Sequence, residues 1–237
     1  MNYSLVIPCY NEQKNLPILI KKYKRFLKYP KNKLILVNNG STDHTEKFLK
    51  KLNKIRNIKT VKIKKNIGFG HGLKKGILAS KGKIVIYSHA DLEVDPNDIL
   101  KAIKLFEKNN FDEKIFIKGL RVNKIKNNWS YLNIFFSLGL TFLSSIIFRR
   151  KIIDVHAMPV LFSKNLFKNL NYYPNDFSVD LAIYINALDK NYTEIRFPVN
   201  FNKKKRKYGK GNNDNLLKMI KNSFQQFYQL FRILIKK

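Results

Sequence analysis

Over its first 120 residues the chain alternates continuous apolar runs with stretches whose apolar side chains recur every three or four positions. That alternation constrains the fold more than any other feature, because it is the pattern of a mostly parallel sheet flanked by helices, an α/β class. Ser4–Pro8, Leu34–Val37, Thr60–Ile63, Lys83–Tyr87 and Ile115–Lys118 are the expected strands. One helix is expected from Leu16 to Leu27, where Leu16, Leu19, Ile20, Tyr23 and Phe26 share a face. A second runs from Asp43 to Asn53, opened by a capping box of Asp43 and Glu46, and a third starts at Pro96 with Ile99, Ile103 and Phe106 inward. Asn66–Gly72 reads as a flexible loop leading into a helix that ends at Ser80. Its glycines, Gly68, Gly70 and Gly72, do not have the dinucleotide-binding spacing and serve as a hinge or a close-approach segment.

Ligands of an open parallel sheet bind beyond the carboxyl ends of its strands. Here those ends carry Pro-Cys-Tyr-Asn-Glu (8–12), Asn-Asn-Gly-Ser-Thr-Asp (38–43) and His-Ala-Asp-Leu-Glu (89–93), so three polar clusters are expected to converge on one edge. Asn11, Glu12 and Asn39 offer hydrogen-bonding groups suited to a base and ribose, while Ser41, Thr42 and Asp43 serve either that purpose or turn formation. Asp91 and Glu93 are the hard oxygen ligands that Mg²⁺ or Mn²⁺ takes when it also holds a diphosphate, and in an extended segment both would point the same way.

At 237 residues one elaborated domain is expected, and 44% apolar with 13% aromatic residues excludes a disordered chain. The lone Cys9 excludes an internal disulfide, and the first apolar run has no basic leader, so a cytoplasmic location is expected. A net charge of +31 calls for anionic partners: nucleic acid, anionic lipid or phosphorylated small molecules. Nucleic acid is not expected, because the aromatics lie in apolar runs and no helix-turn-helix, zinc or RNA-binding signature occurs.

Tyr131–Phe148 is an 18-residue uncharged stretch followed by Arg149-Arg150-Lys151 and interrupted by Asn133, Ser137, Thr141, Ser144 and Ser145. It is a span, an interfacial helix or a core-packed one, the polar interruptions weighing against a span. Leu216–Lys237 sets Leu217, Ile220, Phe224, Phe227, Phe231 and Leu234 at helical spacing among Lys218, Lys221 and Arg232. Such a basic amphipathic helix suits an anionic membrane surface or docks on its own domain.

The strings VIPCYNE, VNNGSTDHT, NIGFGHG, ASKGKIVIYSHADLEVDP and IKGLR, taken in order, resemble the family 2 glycosyltransferases of the GT-A fold. Within them the chain is similar to the dolichol- and polyprenol-phosphate mannosyltransferase branch, with looser counterparts in Asp154–Phe162, Asp176–Asp180 and Phe197–Phe201 leading to Arg206–Gly209. The resemblance implies a Rossmann-like nucleotide-diphospho-sugar transferase domain over 1–210, with a nucleotide half (1–121), an acceptor half (122–210) and a separate terminal helix (211–237). It also implies that Pro8, Tyr10, Asn11, Glu12, Val37, Asn39, His89, Ala90, Asp91 and Arg121 contact the nucleotide sugar. Asp91 stands at the metal-binding aspartate of the family's Asp-x-Asp element and Glu93 at a further oxygen ligand, while His89 replaces the element's first aspartate and Asn39 the usual base-contacting one. His89 would ligate through a ring nitrogen, making metal affinity pH-dependent.

The implied activity is inverting transfer of a hexosyl group to a polyprenyl phosphate or to a glycan hydroxyl, peripherally at the cytoplasmic face of a membrane. Asp91 and Arg206 would then be catalytic, with Asp176 or Asp180 as the base for a hydroxyl acceptor. A phosphate acceptor is already anionic and needs cations instead, which Lys203, Arg206 and Lys207 supply.

Overall fold

The structure, a computed structural model, describes residues 1–168, 173–202, 208 and 216–235. Seven strands, β1 (Tyr3–Cys9), β2 (Lys33–Asn39), β3 (Ile58–Ile63), β4 (Ile84–Tyr87), β5 (Ile115–Arg121), β6 (Val160–Ser163) and β7 (Thr193–Val199), form one sheet in the order β3-β2-β1-β4-β6-β5-β7. The five expected strands are all present and are extended at one or both ends, except β4, which begins one residue later. β1 pairs in parallel with β2 and β4, and β2 with β3. Only β6 runs against its neighbours β4 and β5. β7 closes the edge parallel to β5, where Pro198 is exposed and its missing N–H costs no interior ladder bond.

Successive side chains of a strand point to opposite faces, and both faces of this sheet are covered. On one face Val6, Val37, Val85 and Tyr87 pack with Leu73 and Ile77 of α4 (Phe69–Ala79), with α7 (Val179–Asp189) and with Leu230 and Ile233 of α8 (Leu216–Ile235). On the other, Leu5, Ile7, Leu36 and Ile86 pack with α1 (Leu16–Lys22), α2 (Lys24–Leu27), α3 (Thr45–Leu52) and α5 (Pro96–Lys108). β1, β2, β4 and β5 are therefore buried along almost their whole length around an apolar stretch, which is why these four strands could be read directly.

Four local expectations need correction. The helix expected over 16–27 is two helices, broken at Tyr23, whose backbone leaves the helical region. The capping box at α3 does not close: Asp43 Oδ1 accepts the Thr45 N–H at 3.0 Å, but Glu46 turns outward to Lys62 and Lys50. The segment 66–72 is not a loop throughout, because α4 starts at Phe69 and takes Gly70 and Gly72 into its first turn. Finally, α6 (Tyr131–Phe148) has the expected bounds but is not core-packed: only Ser144 and Phe148 are buried. It is long and apolar enough to cross a membrane, with 11% of it buried. The last helix, α8, lies against α6 and buries Gln229, Leu230 and Ile233.

Candidate active site

The parallel strands end on one side of the sheet, and antiparallel β6 begins there. The loops after β1, β2, β4, β5 and β7 therefore share a rim with the loop entering β6. The first two loops are stitched together. Asn11 Oδ1 accepts the Thr42 N–H at 2.8 Å, the Asn11 N–H donates to Ser41 Oγ at 3.1 Å, and the Glu12 N–H donates to Thr45 Oγ1 at 2.8 Å. Ser41, Thr42 and Asp43 thus do structural work. Pro8 and Val37 are buried register partners on β1 and β2, and Tyr10 is exposed beyond them.

Asn39 is buried at the end of β2, with Nδ2 donating to the Gly68 carbonyl at 3.0 Å and Oδ1 without a hydrogen-bond partner among the described residues. Gly72 makes room for it: a Cβ there would meet Asn39 Cγ at 2.9 Å. Gly68, at φ +124°, and Gly70 lie against the carbonyls of Asn175 and Pro174, at 2.3 and 2.4 Å from where a Cβ would stand. Of the two readings of these glycines, the observed one is close approach, which holds α4 against the segment bearing Asp176 and Phe177.

Beyond β4, Leu92 has a φ of +66°, so Asp91 and Glu93 sit in a turn and not in an extended segment. Asp91 Oδ1 accepts the Glu93 N–H at 3.1 Å, and both carboxylates are buried, as is Ala90. The expected three-ligand metal set is not assembled: among the described residues no three His, Cys, Asp or Glu side chains are grouped to hold an ion. The His89 ring lies instead in an aromatic stack, 5.0 Å from Phe69, which itself stacks on Phe177 at 5.0 Å. Asp91 and Glu93, two residues apart in this turn, are still the hard oxygen donors that suit a cation taking its remaining ligands from a diphosphate and water.

A cavity of about 750 Å³ opens beside this rim, between α6 and α8. Its titratable lining is His89, Glu93, Arg121, His156, Asp176 and Asp180; Phe136, Leu140, Phe224, Phe227 and Leu230 are among its apolar walls, to which α6 and α8 also add uncharged polar side chains such as Ser137 and Gln225. Asp91 does not line it. Arg121 is buried, with Nε donating to Asp154 Oδ1 at 2.7 Å, Nη2 donating to Ser137 Oγ at 3.0 Å, and the guanidinium 4.6 Å from the Trp129 ring centre. Its backbone N–H also donates to Asp154 Oδ2 at 2.7 Å. Burial works against ionising Asp154, but the charge and hydrogen bonds of Arg121 outweigh it and hold the carboxyl below its ordinary range.

The same balance applies to Asp180. It is fully buried, yet the hydrogen bond from His156 and the charges of Lys118, His156 and His89 overcome desolvation and keep it ionised. Its Oδ1 accepts from the Tyr87 hydroxyl at 2.9 Å, and its Oδ2 is 3.1 Å from His156 Nδ1. Asp176 is only partly buried, with Oδ1 accepting the Ser178 N–H at 2.9 Å and Oδ2 receiving Gln225 Nε2 at 3.4 Å.

Lys203, Arg206 and Lys207 lie outside the described residues. On either side of them, the Asn202 N–H donates to the Glu93 carbonyl at 3.1 Å, and Tyr208 meets Asn15 and Lys14 in the loop after β1. The structure therefore brings Glu12, Asn39, Asp91, Glu93 and Arg121 to one rim and sets Asp176 and Asp180 in the adjoining cavity. His156, Trp129 and Lys118 were not singled out from sequence. Only a strand reading of Val160–Ser163 would have brought His156 to the rim, and three apolar residues and a serine behind a proline are too short a signal.

A seven-stranded sheet of this order, with its polar rim beyond the parallel strand ends, is the GT-A class of fold. The solved glucosyl-3-phosphoglycerate synthase of Mycobacterium tuberculosis, in complex with Mn²⁺, UDP-glucose and glycerol 3-phosphate, superposes with a TM-score of 0.65 at 17% identity, over 97% of this chain and 79% of that one. Residues 4–171 match the family model described as glycosyl transferase family 2, and the chain belongs to that family. Among its relatives, dolichol-phosphate mannosyltransferase of Pyrococcus furiosus is 24% identical over 83% of this chain and 56% of its own length. Dolichyl-phosphate beta-glucosyltransferase of Dictyostelium discoideum is 27% identical over 53% of this chain and 41% of its own. The chain thus spans about half the length of these two relatives.

Proposed function

We propose that this chain transfers a hexosyl group, with inversion, from a nucleotide-diphosphate sugar to a polyprenyl phosphate at the cytoplasmic face of a membrane. One observation carries the acceptor assignment: the cavity has mainly apolar walls from two surface helices, and its titratable side chains come from the nucleotide-side rim, which matches a lipid chain with a phosphate head. The names of both relatives as lipid-phosphate sugar transferases support it. So do the exposed Phe135, Phe142, Phe224 and Phe231 on α6 and α8, which suit contact with an anionic bilayer surface.

In this reading Pro8, Tyr10, Asn11, Glu12, Val37, Asn39, Ala90 and His89 form the donor's base, ribose and sugar surroundings. A Mg²⁺ or Mn²⁺ ion held by Asp91 and Glu93 would stabilise the charge growing on the leaving diphosphate. Arg121 faces the phosphates, and Lys203, Arg206 and Lys207, outside the described residues, are assigned to the acceptor phosphate from the sequence. No general base is needed, because the acceptor phosphate, with a second pKa of about 6, is already the nucleophilic anion. A glycan hydroxyl is the second reading, favoured by Asp176, whose partly exposed carboxylate lines the cavity and could take a proton.

The test is an assay of the full chain with phospholipid vesicles, short polyprenyl phosphate, Mn²⁺ and labelled nucleotide sugars. Label is expected in the lipid phase; label confined to water-soluble products across all donors removes the lipid acceptor. Asp91→Ala should lower turnover by about a hundredfold, the scale at which loss of transition-state charge stabilisation is felt, and a near-normal rate would refute the metal role.

A further inference from the structure

We propose that His156 is a catalytic residue on the acceptor side, its Nε2–H donating to the acceptor phosphate, with Asp180 and Tyr87 as positioning residues behind it. This rests on the lipid-phosphate reading above. Asp180 is buried and ionised, so it can only accept hydrogen bonds, and its two oxygens face the Tyr87 hydroxyl and His156 Nδ1. Nδ1 therefore carries a proton, and both the tautomer and the plane of the ring are set by a carboxylate that cannot move. The other nitrogen has been left over: His156 lines the cavity, yet its Nε2 is out of water and has no hydrogen-bond partner among the described residues. Buried polar atoms are seldom left unpaired, and those that are mark places where a ligand completes the set.

The ligand that fits is an anion. In the proposed complex the ring stands between two anions, the Asp180 carboxylate at Nδ1 and the acceptor phosphate at Nε2, and donates an N–H to each. Arg121, in the wall of the same cavity, repeats the arrangement, since it is held by the buried carboxylate of Asp154, and its Nη1 has no hydrogen-bond partner among the described residues. Two nitrogen-bearing side chains, each backed by a buried carboxylate, thus line the same cavity. In the step itself, an acceptor phosphate oxygen forms the bond to the anomeric carbon while the bond from that carbon to the diphosphate oxygen breaks, and the nucleoside diphosphate leaves with the electron pair. His156 keeps its proton throughout and contributes a hydrogen bond only.

The experiment is steady-state kinetics of the full chain and three variants, with short polyprenyl phosphate in vesicles and the preferred nucleotide sugar, each variant's melting temperature being recorded. His156→Ala is expected to raise the KM for polyprenyl phosphate about tenfold, the loss of one hydrogen bond to a charged group, with the donor KM unchanged. His156→Gln, which retains an N–H donor near the position of Nε2, should restore much of that loss. His156→Asn, which replaces only the Nδ1 contact to Asp180, should not. An unchanged acceptor KM in His156→Ala, or an equal rise in both KM values, would overturn the assignment. So would a His156→Gln enzyme that loses turnover while keeping its acceptor KM, the mark of a proton acceptor. If the unaltered chain puts no label into lipid, the function fails and the assignment with it; transfer that is indifferent to His156 removes the assignment alone.

Discussion

Lys118 lies at the centre of β5 with its ammonium fully buried and without a hydrogen-bond partner among the described residues. Burial pushes its pKa down from 10.5 to about 7, with Asp180 and Asp154 resisting and Arg196 and Arg121 reinforcing the shift. Between those two values the unfolded chain binds more protons at this residue than the folded one, so its contribution makes the fold more stable as pH rises from about 7 toward about 10.5. Lys118→Met should therefore raise the urea midpoint at pH 6, and the gain should shrink at pH 9. An equal gain at both pH values would show that the ammonium is solvated. The sequence showed a lysine at the end of an apolar run, where snorkelling to solvent is the ordinary outcome. It could not show that β6 and β7 would close over both sides of β5. The same distance in sequence hid His156 from Asp180, which lies 24 residues away on another element.

At the scale of elements, local chemistry was legible where it did not depend on neighbours. The bounds of α6 follow from Ser130 accepting the Asn133 N–H at 3.2 Å and from the left-handed Arg149 that stops the helix. Expectations failed where a contact from elsewhere won, as when Lys62 of β3 drew Glu46 out of its cap. The glycines of α4 are a tertiary device, and Gly70→Ala tests this. A Cβ there would meet the Pro174 and Asp176 carbonyls at 2.4 and 2.7 Å, which only backbone movement relieves. A loss of about 2 kcal/mol in chemical denaturation is expected, the usual scale of overpacking. The two surface helices make a different prediction. Phe142 and Phe224 are 65% and 70% exposed, so Phe142→Ser and Phe224→Ser should leave the melting temperature unchanged. Each should lower partitioning onto anionic vesicles by about tenfold in flotation assays, the value of burying one phenyl ring.

For the whole molecule, the proposed membrane contact would draw on both the net charge of +31 and the exposed apolar side chains of α6 and α8. Binding to vesicles rich in anionic lipid should fall steeply between about 0.05 and 0.5 M salt, as screening shortens the reach of surface charges, while the weaker binding to neutral vesicles should not. Salt-insensitive binding to both would assign the whole attraction to the apolar faces. What the sequence alone determined was the alternation of strands and helices, and with it the edge where the loops after β1, β2 and β4 meet, because strand periodicity and parallel connection are written locally. Only the tertiary structure decided which charges are paired there. The reversal at β6 delivers Asp154 to Arg121 and His156 to Asp180, and the packing of α8 on α6 makes the cavity, because contacts between distant segments depend on register and packing that no local pattern encodes.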